Sequence, residues 1–119
     1  MQDFKNIEVW KKAHLLVKDI YQQTNVFPTS EVYGITSQLR RAAVSIPTNI
    51  AEGAGKGSNA DFGRFLQIAF GSASEVEYLL FLSFELTFLK EEIYNQLLTQ
   101  IVEVKKMLAG FIKKLKTVN

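Results

Sequence analysis

Residues 38–58, QLRRAAVSIPTNIAEGAGKGS, constrain the fold of this chain more than any other stretch. Ile35, Leu39, Ala42, Ala43, Ile46, Ile50 and Gly53 recur at spacings of three and four, which draws one apolar helical face. Gln38, Arg41, Ser45, Asn49, Glu52 and Lys56 recur in the same way and draw a polar stripe beside it. A helix with two ordered faces meets two different neighbours. Pro47 stands inside the pattern, with no N–H for the Ala43 carbonyl and a ring that crowds that carbonyl. Both stripes keep their phase past the proline, so a kinked helix is expected rather than a broken one. Ser45 and Thr48 hydroxyls are placed to satisfy freed backbone groups, and Asn49 is placed either to do the same or to meet a partner. The small residues Ala42, Ala43, Ala51 and Gly53 admit a close second helix. Gly53, Gly55 and Gly57 are expected to end the helix through the left-handed conformation common at helix C-termini. Ser58 with Asp61 three residues on has the form of a capping box and opens the next helix.

The rest of the chain reads as helices that pack against this one. A first helix spans 7–24, with Trp10, Ala13, Val17, Ile20 and Tyr21 as its apolar seam. Residues 25–30 form a turn with Pro28 as breaker, Ser30 as cap and Phe27 folding back on the body. The second helix starts near 31. A third spans 59–88 with Phe62, Phe65, Leu66, Ala69, Ala73, Val76, Leu80 and Phe84 as its main seam, and a fourth spans 91–116 with heptad-like spacing. Four helices with short connections make an all-α, antiparallel up-down four-helix bundle, a single domain over 1–119. Between residues 76 and 89 the third helix is apolar nearly all round, more than one small core can cover. Tyr78, Leu79, Phe81 and Leu82 are therefore read as an oligomer interface. A membrane span is the rival explanation, but a span needs about 20 predominantly apolar residues and Glu75, Glu77 and Glu85 interrupt this run.

Several chemistries find no support. There are no cysteines, so neither a disulfide framework nor thiol catalysis is available. His14 is the one histidine, with no second soft ligand near it in sequence, and no metal or other cofactor is expected. GAGKGS at 53–58 fails as a P-loop, because Gly57 follows the lysine and a helix, not a strand, precedes it. A bare anion site at the start of the third helix stays open beside simple helix termination. Glu52, Glu75 and Glu77 lack the enclosed, partnered setting that acid–base catalysis requires, so no catalytic residue is assigned. MQDFKNIEVW carries no basic-then-apolar leader, which makes a cytoplasmic protein the expectation.

What remains is charge. The formal net charge is only +2, so distribution decides more than total. Arg40, Arg41, Lys56 and Arg64 lie on the second helix, the glycine segment and the start of the third, and Lys113 and Lys114 belong to a basic run at the C-terminal end. Arginine forks suit phosphate. The alternative is internal pairing, of Arg41 or Lys56 with Glu52 and of Arg64 with Asp61.

QLRRAAVSIPTNIAEGAGKGS together with FGRFLQIAFGSASEVEYLL resembles the bacterial four-helix-bundle family encoded by reading frames inside 23S ribosomal RNA intervening sequences. The similarity runs from Phe4 and the segment Val9-Trp10-Lys11-Lys12-Ala13 to the last helix, and Ser45-Ile46-Pro47-x-Asn49-Ile50-Ala51-Glu52-Gly53 is its most specific part. The chain departs at Lys56, where arginine is common, and at Ala73-Ser74, where a leucine is frequent. The resemblance implies ring-like pentamers. It also implies a likeness to accessory proteins of diversity-generating retroelements, which bind a reverse transcriptase and nucleic acid. The expectation is a non-enzymatic, homo-oligomeric accessory protein that binds nucleic acid, RNA first. A protein-interaction scaffold with no nucleic-acid role is the alternative, its contacts made by the polar stripe of the second helix.

Overall fold

The computed structural model describes residues 3–117, and four helices account for most of them: α1, Glu8–Thr24; α2, Ile35–Ala54; α3, Asn59–Glu85; and α4, Glu91–Thr117. Each helix packs on the next, and α4 closes back on α1. Among the described residues no diagonal pair meets, so the cross-section is a square around one core. The body measures 48 × 22 × 20 Å, a rod with two distinct ends. One end carries the start of α1, the close of α2, the start of α3 and the close of α4. The other carries the α1–α2 and α3–α4 connections, which Phe27 and Phe88 hold together with ring centroids 5.5 Å apart.

The core follows the predicted periodicities with local adjustments. All seven apolar positions on α2 are buried. On α1 the buried line is Val9, Ala13, Leu16 and Ile20, and Trp10 and Val17 sit at its edge. Trp10 is flanked instead by Phe4, 4.9 Å away edge-on, and by His14, stacked at 4.8 Å. α2 begins at Ile35 rather than near residue 31, because Thr29–Glu31 form a short 3-10 turn. The helix is capped by the Glu31 carboxylate, which accepts the Ile35 N–H at 3.2 Å, and not by Ser30. α2 then runs unbroken through the buried Pro47. In the two positions just after the missing bond, the Thr48 hydroxyl donates to the Val44 carbonyl at 2.7 Å and the Asn49 amide donates to the Ser45 carbonyl at 2.8 Å.

The glycines behave differently from expectation. None among the described residues has a positive φ. Gly53 lies inside α2, and Gly55 closes the helix with right-handed backbone, φ −84°. The left-handed stop belongs to Thr87, φ 67°, at the end of α3. There the Phe88 N–H reaches the Ser83 carbonyl at 2.9 Å and the Thr87 N–H reaches the Phe84 carbonyl at 3.0 Å, a Schellman closure. α3 therefore ends three residues before the predicted 88. Its start is as predicted, with the Ser58 hydroxyl accepting the Asp61 N–H at 3.1 Å.

α3 is long and apolar enough to cross a membrane by length and composition, yet Leu66, Ala69, Ala73, Val76 and Leu80 lie in the core of the bundle. The interface set divides here. Leu79 is only 2% exposed and belongs to the core, because it shares a helical side with Val76 and Ser83, both buried. Leu82 is half-buried, while Tyr78 and Phe81 stay 58% and 44% exposed.

At Gly53, α2 and α3 approach too closely to admit a side chain. A Cβ there would stand 2.8 Å from Phe65 Cβ and 2.9 Å from Phe62 Cδ1, with the Phe62 carbonyl at 3.3 Å. Gly53→Ala forces the helices apart against any gain in helix propensity, and a loss of about 1–3 kcal/mol is expected. Urea unfolding monitored by far-UV circular dichroism measures it.

Candidate nucleic-acid interface

Basic residues read from the sequence fall into three groups, set by where each helix delivers them. The first holds Arg40 alone. Its Nε donates to the Thr24 hydroxyl at 2.8 Å, and its Nη2 donates to the Tyr21 carbonyl at 3.2 Å and Asn25 Oδ1 at 3.1 Å. The guanidinium also lies 4.6 Å from the centre of the Tyr21 ring. These groups are carbonyls and side chains at the close of α1, where a helix leaves its last carbonyls unpaired. Arg40 is thus a clasp between α1 and α2, held through its Nε and Nη2.

Arg41, one residue on, points the other way. It is exposed, has no hydrogen-bond or ion-pair partner among the described residues, and lines a groove between α2 and α3. Neither Arg41 nor Lys56 pairs with Glu52, which lines a separate, mostly apolar groove with Trp10, His14 and Pro47.

The third group gathers at the end of the rod where α2 closes and α3 begins. Lys56 Nζ and Arg64 Cζ sit 5.2 and 4.8 Å from the centre of the same Phe65 ring. A cation over a ring face keeps its charge and much of its hydration while its position is fixed. Arg64 also meets Asp61 at 3.6 Å, the predicted internal pair, with both side chains more than half exposed; such a pair holds by less than about 1 kcal/mol and yields readily to a phosphate. The antiparallel α4 brings its last turns to this place. Arg64 and Lys116 line one groove with Ile112 and Leu115, and Lys113 and Lys116 line the adjoining one with Phe70 and Gln67. Lys113 is therefore on this surface. Lys114 is exposed but lines neither groove, and Lys116 takes the place expected for it. The spacing of α4 held this signal, since 112, 113 and 116 lie on one side of a helix and 114 does not.

Arg41 lies about 20 Å along α2 from the close of the helix at Ala54, beyond which Lys56 follows, so the four residues expected to share one end or face do not. The acidic candidates are structural or lie elsewhere. Glu77 pairs with Lys105 at 2.9 Å, and Glu75 accepts from Gln38 at 3.4 Å. Among the described residues no group of three His, Asp or Glu side chains is placed to hold a metal ion.

Replacing Arg40 with alanine removes three bonds from the α1–α2 junction. A loss of about 1–3 kcal/mol in stability is expected, with RNA affinity at matched folded fraction unchanged. Thermal unfolding and a filter-binding titration together check this.

Residues 5–110 match the family described as 23S rRNA-intervening sequence protein. A crystal structure of a protein with unknown function from the S23 ribosomal protein family, from Bacteroides thetaiotaomicron VPI-5482, aligns with a TM-score of 0.79 and 28% identity. The alignment covers 88% of this chain and 95% of that one. No curated protein matches.

Proposed function

The chain belongs to the 23S rRNA-intervening sequence protein family, and from that premise we propose a non-enzymatic, homo-oligomeric, cytoplasmic accessory protein that binds nucleic acid, RNA first. The observation that carries this is the basic end of the rod. Lys56, Arg64, Lys113 and Lys116 come from three chain segments and converge there, and only Arg64 has a carboxylate partner among the described residues. Lysine and arginine heads held on aromatic and apolar supports suit a phosphate backbone, where each contact releases counterions and carries no sequence information. Lys114 extends the positive field at the same end of α4. The family's place in ribosomal RNA insertions points the same way.

Assembly multiplies a modest patch. Tyr78 and Phe81 stand exposed one turn apart on α3, and an apolar groove, about 570 Å3, opens between α1 and α2 beside Trp10 and Pro47. A ridge on one face and a groove on another support a heterologous contact, which closes into a ring when the rotation allows. A ring of five is the number the family resemblance implies, and a reverse transcriptase or another protein is the partner class it implies. Such a ring repeats the basic end around an axis, which favours binding over a protein-only scaffold.

Replacing Lys113, Lys116 and Arg64 together with alanine is expected to weaken binding to all RNA sequences alike and to flatten the slope of log affinity against log salt by about two to three per protomer. Fluorescence anisotropy across a salt series measures both, and an unchanged slope sinks the assignment. For the assembly, Tyr78→Glu with Phe81→Glu is expected to give folded protomers of 13.5 kDa by sedimentation. Leu79→Ala is expected to cost about 2–5 kcal/mol of stability, as a core residue does, without setting the subunit number.

A further inference from the structure

The α2–α3 groove beside Arg41 has a chemistry that the basic end lacks. It has a volume of about 570 Å3, enough for a mononucleotide, and its walls are mostly polar. Tyr33 stands at its mouth, 96% exposed, the barest of the large apolar side chains described. A tyrosine held out in water at a turn buries nothing in the protomer and presents a free ring face. Arg41 lines one wall without a protein partner. Glu75 lines the other, where the Gln38 amide reaches one oxygen at 3.4 Å and leaves the second unbonded. The walls meet where Ser45 and Ser72 hydroxyls contact at 2.8 Å, which fixes the width of the groove between the two helices. An unpaired guanidinium and a nearly unpaired carboxylate therefore share one groove without forming a salt bridge. A ligand that satisfies both brings an anion or acceptor for Arg41 and N–H donors for Glu75, and a flat ring for Tyr33.

We propose that this groove binds a guanine nucleotide, the base stacked on Tyr33, its N1–H and N2–H donated to the Glu75 carboxylate, and its phosphate held by Arg41. This rests on the nucleic-acid reading and gives it a base-reading element. A carboxylate selects guanine because the Watson–Crick edge of guanine offers two adjacent donors. Adenine presents an acceptor at N1, which faces the carboxylate with like polarity, and uracil offers one donor. Stacking on an aromatic ring with hydrogen bonds to the Watson–Crick edge is how single-stranded RNA is read. Free guanosine 5′-monophosphate and a guanosine within a single strand present the same groups. Phe81 of the proposed subunit contact turns away from the groove, one turn beyond Glu77, whose partner Lys105 is on α4, while Tyr78 borders the groove one turn past Glu75.

Calorimetric titration of the full chain with guanosine and adenosine 5′-monophosphates tests the groove. Guanosine monophosphate is expected to bind about tenfold or more tightly than adenosine monophosphate. Glu75→Gln is expected to erase that ratio, and Tyr33→Ala to lower guanosine affinity about tenfold. Both positions are exposed, so circular dichroism should be unchanged. An undecamer of uridines with one central guanosine, set against one with a central adenosine, identifies the source: a guanosine preference that persists within the strand marks a strand, and one confined to the free nucleotides marks a mononucleotide. Equal affinity for the two bases, or a preference untouched by Glu75→Gln, overturns the guanine site. So does RNA that binds only through Lys113, Lys116 and Arg64, which leaves the broader reading standing. Failure of every RNA and nucleotide to bind at low salt overturns both.

Discussion

The close approach of α2 to α3 is the contact on which the rest of this bundle depends. It is made by what is missing at Gly53, where any side chain would strike Phe62 and Phe65, and by what is small at Ser45 and Ser72, whose hydroxyls touch. One end of this seam sets Phe65 where Lys56 and Arg64 both lie against it. Nearer the other end, it fixes the spacing of Arg41 and Glu75 across their groove. Packing and charge placement are therefore one problem here. A wider seam would loosen the core, unseat the cations from their shared ring and change the width of the groove together.

Much of this was legible in the sequence, for reasons that can be named. Helix spans came from periodicity, and the start of α3 came from Ser58 and Asp61, because these signals act over three or four residues. The polar stripe was legible for the same reason: Gln38, Arg41 and Ser45 do share one wall. What failed needed a neighbour's identity. Arg40 and Arg41 are adjacent and chemically alike, yet a turn of about 100° sends one to the close of α1 and leaves the other free. Leu79 and Phe81 are equally apolar, and the difference between core and surface lies in which side of α3 the other helices cover. Three glycines in a row of five residues looked like a left-handed stop, but the same composition also serves close packing. The left-handed residue is a threonine at the end of α3, where the Schellman bonds fix the chain.

The separation of charges has a consequence for how a nucleic acid would lie. Arg41 and the close of α2, just before Lys56, are about 20 Å apart, and phosphates on one strand of a regular helix are spaced by about 3.4 Å along the axis. Some six nucleotides would span the distance, so a strand bound as proposed would reach from the basic end to the Arg41 groove. The two places would contribute differently. Contacts at the basic end would be exposed, screened by salt and indifferent to sequence. Contacts in the groove would involve a carboxylate and a ring, which add little long-range attraction and would discriminate between bases. An acidic residue within a site for a polyanion is unfavourable by Coulomb's law unless it contributes hydrogen bonds that only some bases can answer. Glu75 lies across the groove from Arg41, whose charge offsets part of that cost. A purely electrostatic surface would have no use for a carboxylate at that position, and this is the physical reason to look for selectivity in the groove and for affinity at the end of the rod.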